Sequence, residues 1–315
     1  MSRAVTRYLL RRFVASGRVR VCLREHSSSS KSSSKSQDEE ARRREVMARG
    51  LPKQRPIKGV KQILLVASGK GGVGKSTTSV NLATALKITE PAKDVGLLDA
   101  DIFGPTVPLM MNLRQSPMLN EDDLMEPPIN YGVKCMSMGF LIDEKSPVVW
   151  RGLMVMSAVD RLLRQVAWGP LDYLVVDTPP GTGDTLLSLM QNLPISGALI
   201  VTTPQRAALD VTRRGAKMFQ KLDVPIAGIV ENMSSVTCPK CSHEVPLFGD
   251  GATPLAEELG TKVLTRFPMH EEITESSDKG KPIVLSAPKS VHAESYKKLA
   301  RDIVRFLEKQ PKSSD

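Results

Sequence analysis

The chain has 315 residues, 41% of them apolar and only 4% aromatic, so any core must be built largely from aliphatic side chains. Its net charge of +10 is concentrated at the start, where residues 1–36 hold seven arginines and two lysines against the single acid Glu25. The remaining body is close to neutral, which argues against a nucleic-acid groove, and no apolar run reaches the ~18–20 residues that span a bilayer.

In the first segment Arg3, Arg7 and Arg11 recur at every fourth position, as do Val5, Leu9 and Phe13. The two sets are offset by two residues, about 200° around a helix, so the segment can form a helix with one cationic and one apolar face. No acid precedes Glu25, and a serine-rich run follows at 27–36. This is the composition of a mitochondrial transit peptide, and it predicts a matrix protein. A disordered basic arm is the alternative. Residues 37–61, with Pro52 and Pro56, read as a leader or linker.

From 62 to 309 the pattern predicts one domain. Continuous apolar runs at 63–67, 95–98, 133–138, 173–176, 198–202 and 226–230 fit strands buried on both faces. Helical patterns lie at about 76–87, 153–167, 184–192, 207–221 and 252–259, and a last helix is expected over 290–308. Alternation of this kind implies the α/β class, a parallel β-sheet with helices on both faces. Residues 112–131, rich in Pro, Asn and Asp, read as a surface insertion.

Gly69-Lys70-Gly71-Gly72-Val73-Gly74-Lys75-Ser76 satisfies G-x-x-x-x-G-K-[ST], between a predicted strand and a predicted helix, with Thr77 next. Glycines let backbone N–H groups close around phosphate oxygens, and the helix N-terminus adds a favourable dipole. Lys75 is expected to reach the β- and γ-phosphates of ATP and the Ser76 hydroxyl to bind Mg²⁺. Asp99 and Asp101 stand at the end of the second predicted strand, in LLDADIFGPT, and Asp177 ends another, in DYLVVDTPPGTGD. Carboxylates at the C-terminal edge of an open sheet face its ligand crevice, where they can hold Mg²⁺ waters or orient an attacking water. Capping is the alternative role for each taken alone. Asn232 is expected just after a strand, in GIVENM.

Of the four cysteines, Cys22 lies in the predicted transit segment and Cys135 in an apolar run that reads as buried strand. Cys238-Pro239-Lys240-Cys241 is a C-x-x-C pair suited to an Fe–S cluster or to Zn²⁺, and a redox dithiol remains a third reading. Clusters and structural zinc generally take four ligands. A symmetric homodimer would supply two pairs across its axis.

The second lysine of the loop, Lys70, resembles that of the deviant Walker A family that includes MinD, ParA, the nitrogenase iron protein and the Mrp-type iron–sulfur carriers. That resemblance implies that Lys70 crosses a dimer interface to the partner's nucleotide, that Asp101 orients the attacking water and that Asn232 bonds the adenine edge. The order GKGGVGKST, LLDADIFGP, WRG, DYLVVDTPPGTGD, TTPQ, ENM, CPKC and FGDG, over about residues 60–305, is similar to the Mrp-type branch. With the transit-like start, the resemblance implies an ATP-binding homodimeric carrier. It would hold a [4Fe–4S] cluster between Cys238 and Cys241 of two chains and deliver it to apo iron–sulfur subunits of respiratory complex I. Any ATP hydrolysis would be slow, and peripheral association with the inner membrane would fit that destination. A MinD- or ParA-like switch and a P-loop enzyme with structural zinc are the rivals. One loop departs from the family pattern: His270 stands where an acid is usual and Thr274 where an arginine is usual.

Overall fold

The apolar runs become the strands of a single sheet in the computed structural model, which describes residues 54–141, 152–238, 240–241, 243–248 and 251–313. The expectations for the transit segment, and for most of the leader, lie outside the described residues. In chain order the elements are β1 (Val60–Ser68), α1 (Lys75–Thr89), β2 (Val95–Asp99), α2 (Val107–Met110), β3 (Ile129–Asn130), β4 (Val133–Ser137), α3 (Gly152–Arg164), β5 (Leu171–Asp177) and α4 (Asp184–Asn192). There follow β6 (Gly197–Thr202), α5 (Arg206–Lys221), β7 (Ile226–Thr237), β8 (Glu244–Pro246), α6 (Thr253–Glu258), β9 (Val263–Met269), α7 (Glu271–Asp278), α8 (Ile283–Ser286) and α9 (Val291–Leu307).

The strand order is β3-β4-β2-β5-β1-β6-β7-β8, with β9 also on β7. All pairings are parallel except β3 with β4 and β7 with β8. Every residue of β2 and of β6 is buried, which requires cover on both faces of the sheet and explains why these strands lack an apolar–polar alternation. The chain leaves β1 through α1 to reach β2, two places away, and leaves β5 through α4 to reach β6 on the far side of β1. The connection thus reverses direction around β1, and the loops at the C-terminal ends of β1, β2 and β5 open into one crevice. In open α/β sheets that is where ligands bind.

The end of the chain closes over the start of the sheet. Tyr296 of α9, 1% exposed, stacks on Phe267 of β9 with ring centroids 4.1 Å apart. Gln62 donates its side-chain amide to the Leu307 carbonyl at 2.7 Å. Ile57 is buried and Arg164 donates to the carbonyls of Arg55 and Pro56, so the last residues of the expected leader pack on the domain.

Three features differ from the sequence expectation. β7 runs to Thr237, so Asn232 lies inside the strand instead of after it. The polar stretch ENMSSVT keeps its extended form because partners replace apolar burial: β6 pairs with Ile226–Glu231, β9 with Ile229–Val236, and β8 takes up Ser235–Thr237. A bulge interrupts the β7–β9 register between Asn232 and Val236, and Met233 adopts a positive φ of 55° there. The strand β9 and the helix α7 have no counterpart in the apolar pattern. Residues 112–131 do lie at the surface in part, but Leu113, Pro127 and Pro128 are buried.

Candidate nucleotide site and thiol hairpin

The loop after β1 is shaped by its glycines. Gly72 and Gly74 hold φ of 76° and 82°, which L side chains rarely adopt, and a Cβ on Gly71 or Gly72 would meet no heavy atom within 4 Å. Gly71 and Gly72 are exposed, with open space beside them. At Gly69 the demand is different: a Cβ would lie 2.7 Å from the Thr212 backbone nitrogen, so α5 can pack against the loop only if this residue is glycine. The start of α1 carries no side-chain cap, which leaves its first N–H groups to an incoming anion.

Lys75, Ser76 and Asp177 are brought together. Lys75 Nζ lies 2.7 Å from Asp177 Oδ1, with the two side chains 6% and 0% exposed. Ser76 Oγ donates to Asp177 Oδ2 at 2.6 Å, and Ser79 Oγ donates to Asp177 Oδ1 at 2.6 Å. This buried pair is fully partnered, as burial of charge requires. Ser79 was not among the expected site residues, although it sits one turn beyond Ser76 on the same helix. Thr77 is half-buried in that first turn, and its carbonyl accepts from Asn81.

Asp99 and Asp101 hold the loop after β2. Asp99 Oδ2 accepts from the Thr106 and Val107 N–H groups and from Ser137 Oγ, and Oδ1 accepts from the Asp101 N–H. Burial, and next the charge of Asp177, push the Asp99 carboxyl up to about 7 against the pull of those N–H donors and of Lys75. Asp99 thus caps a turn, the alternative role weighed for it, and also stands near the charges of Asp177 and Lys75. Asp101 is less enclosed. Burial raises its pKa most, while Lys75 draws it down and Asp177 adds to the rise, so it shares the field of the same pair.

Lys70 stands apart from these groups, donating its Nζ to Gln205 Oε1 at 2.8 Å just ahead of α5. Sequence reasoning quoted TTPQ as a motif without assigning Gln205 this part. Asn232 Nδ2 donates to the carbonyl of Val73, itself buried, at 2.8 Å, and a Cβ on Gly74 would strike the same amide at 2.1 Å. Asn232 therefore reaches the phosphate loop from β7.

The same strand leads to the thiols. β7 and β8 form a hairpin, Thr237 opposite Glu244, and Cys238 and Cys241 lie in its tip, where the Cys238 N–H donates to the His243 carbonyl at 2.9 Å. Cys238 is half-buried and Cys241 exposed. The backbone N–H groups of Cys241 and then of Lys240 lower the Cys238 pKa, favouring the thiolate that a metal takes. Cys135, in β4, is fully buried and its pKa is raised by that burial. β4 lies near the opposite end of the sheet from β7, so Cys135 does not join the pair.

The family model described as "ParA: NUBPL iron-transfer P-loop NTPase" matches residues 59–304. The chain belongs to the NUBPL iron-transfer P-loop NTPase family. A mouse relative in this family, described as iron-sulfur cluster transfer protein NUBPL, is 58% identical over 271 residues, covering 86% of this chain and 85% of its own. The Arabidopsis thaliana iron-sulfur protein required for NADH dehydrogenase, mitochondrial, is 52% identical over 258 residues, 82% of each chain. Among solved structures, a nucleotide-binding protein from Archaeoglobus fulgidus in complex with ADP is similar at 36% identity. Its TM-score is 0.62, covering 71% of this chain and 88% of that one. The NUBPL-family stretch thus includes the P-loop, the three aspartates, Asn232 and the thiol hairpin.

Proposed function

We propose that the chain is an iron–sulfur cluster carrier of the mitochondrial matrix that binds ATP with Mg²⁺, works as a homodimer and supplies [4Fe–4S] clusters to apo subunits of respiratory complex I. The observation that carries this reading is β7: it brings Asn232 to the phosphate loop and then, at its end, presents Cys238 and Cys241 in the hairpin tip. The relatives' names supply the cargo and the destination.

The donor set fits the groups assigned to it. The open glycine loop and uncapped start of α1 suit phosphate, and the Ser76 hydroxyl beside the Asp177 carboxylate offers the hard oxygens that Mg²⁺ prefers. Bound Mg²⁺ would supply neutralisation of phosphate charge. Lys75 would exchange part of its bond to Asp177 for phosphate oxygens, and Ser76 would turn its oxygen from Asp177 to the metal. Asp101, its basicity raised by burial, would accept the proton of an oriented water. Lys70 would leave Gln205 and reach the nucleotide of a second copy.

The thiols fit the cargo by count. One chain offers two thiols in the hairpin, and Cys135 is enclosed in the sheet. Four terminal thiolates, the common complement of a cubane, follow when two hairpins meet across a two-fold axis. The test is anaerobic reconstitution with iron and sulfide assays, Mössbauer spectroscopy and sedimentation. Four irons and four sulfides per two chains, transferable to an apo-acceptor, are expected. Four irons on a monomer, or one zinc per chain without sulfide, would overturn the bridging arrangement.

A further inference from the structure

The unexpected histidine after β9 has two neighbours that the sequence does not place beside it. His270 is the N-cap of α7, Glu272 lies in the first turn of that helix, and His292 lies in the first turn of α9. One donor atom from each side chain falls within 4.8 Å of the other two, and the imidazole rings lie 4.4 Å apart between centroids, inclined at 47°. The scaffold beneath them is closely packed. Phe267, three residues before His270, stacks on Tyr296, one turn after His292, and both aromatic rings are buried.

We propose that His270, Glu272 and His292 form a binding site for one divalent transition-metal ion of the zinc, cobalt or nickel class. Two imidazoles and one carboxylate favour these ions over Mg²⁺ or Ca²⁺, which prefer all-oxygen shells. Three protein ligands leave a further position for water. Bonds of about 2.0–2.2 Å to one ion require donor separations of about 3–3.5 Å, so binding draws the three side chains inward. The exposed Glu272 has the freedom to do so.

Ligation also has a defined local cost. His270 Nδ1 accepts the Glu272 N–H at 3.3 Å, a long bond, as the cap of α7. A neutral imidazole has one nitrogen lone pair. An ion on Nδ1 takes that lone pair directly, and an ion on Nε2 requires the proton to sit on Nδ1. In either case the cap bond is lost and the ion replaces it as the tie between the β9–α7 turn and α9. The site borders the strand that leads to the thiols, since Met269 pairs with Val236, two residues before Cys238.

The test uses the untagged full chain with Cys22, Cys238 and Cys241 replaced by Ser, so that thiols do not compete. Co²⁺ is titrated by calorimetry and visible absorption. One Co²⁺ per chain is expected, with d–d bands but no sulfur charge-transfer band. His270→Gln and His292→Gln should each weaken binding at least tenfold, and Glu272→Gln by a smaller factor. Circular dichroism and the thermal midpoint in EDTA check the fold; if one histidine variant does not fold, the other and Glu272→Gln carry the test. Zn²⁺ should raise the thermal midpoint of the parent but not of the folded histidine variants. The Glu272 amide resonance should shift on binding as its cap bond is lost. Equal affinity in parent and histidine variants, or only weak multi-site binding of an adventitious ion, would overturn the site.

Discussion

Lys75, the lysine proposed to bind phosphate, is held by the buried Asp177 carboxylate and is not a free surface charge. Each charge-assisted bond to phosphate is worth about 1.5–3 kcal/mol, so Lys75→Ala should weaken ATP binding by about tenfold or more in calorimetry. Because the lysine also partners a fully buried carboxylate, the variant should in addition lose about 3–5 kcal/mol of stability in urea unfolding of the nucleotide-free chain. Lys75→Gln, which keeps a donor, should lose less stability for a similar loss of affinity. Asp99 gives a pH signature of opposite sense to the usual carboxylate. Its folded pKa of about 7 lies above the ordinary carboxylate value of 3.8, so between them the native chain retains a proton that the unfolded chain releases. Its contribution therefore makes stability fall as pH rises from about 4 to about 7, and change no further above that. Asp99→Asn should lack this decline in thermal midpoint across the window. It should also start lower, because an amide nitrogen would face backbone donors where both carboxylate oxygens now accept them.

At the scale of elements, the strands that carry Asp99, Asp177 and the P-loop were legible because burial on both faces writes itself as unbroken apolar runs. The end of β7 was not. Its polar residues are held by pairing with β8 and β9, and Glu231, 3% exposed, is accommodated by the Ala252 N–H and by its β9 partner Arg266. Such long-range partners leave no local mark. β8 is three exposed residues, and α7 is capped by a histidine where Ser, Thr, Asp or Asn is the usual signal. In the site, the sequence pointed to Lys75, Asp177 and the cysteine pair through spacing alone, whereas Ser79, Gln205 and His292 depended on the fold. The hairpin predicts a clean separation of cysteine roles. Cys238→Ala or Cys241→Ala should abolish iron and sulfide retention after reconstitution, and Cys135→Ala should keep both. The latter should pay only a modest stability penalty in denaturant titration, since it removes one sulfur from the core. The α9–β9 contact has a sharper prediction. Tyr296→Ala should cost about 3–5 kcal/mol in equilibrium unfolding, and Tyr296→Phe, which keeps the stack on Phe267, much less.

For the whole molecule, the positive charge is concentrated in residues 1–36 and the rest of the sequence is close to neutral. Within one chain Lys70 is engaged with Gln205, so a reach toward a second copy begins by breaking that 2.8 Å bond. Gln205→Ala should therefore favour ATP-dependent dimers in analytical ultracentrifugation, while Lys70→Ala should disfavour them with little change in single-chain ATP affinity. The run of β7 from the phosphate loop to the thiol hairpin has a thermodynamic corollary. If nucleotide changes the grip on the cluster by some factor through this strand, the cluster must change the grip on nucleotide by the same factor. A loaded and an empty carrier would then differ in how readily they take up ATP. At a fixed nucleotide concentration, cargo itself would decide which copies become charged for release, and a simple comparison of nucleotide affinity with and without cluster would measure the coupling without following any transfer.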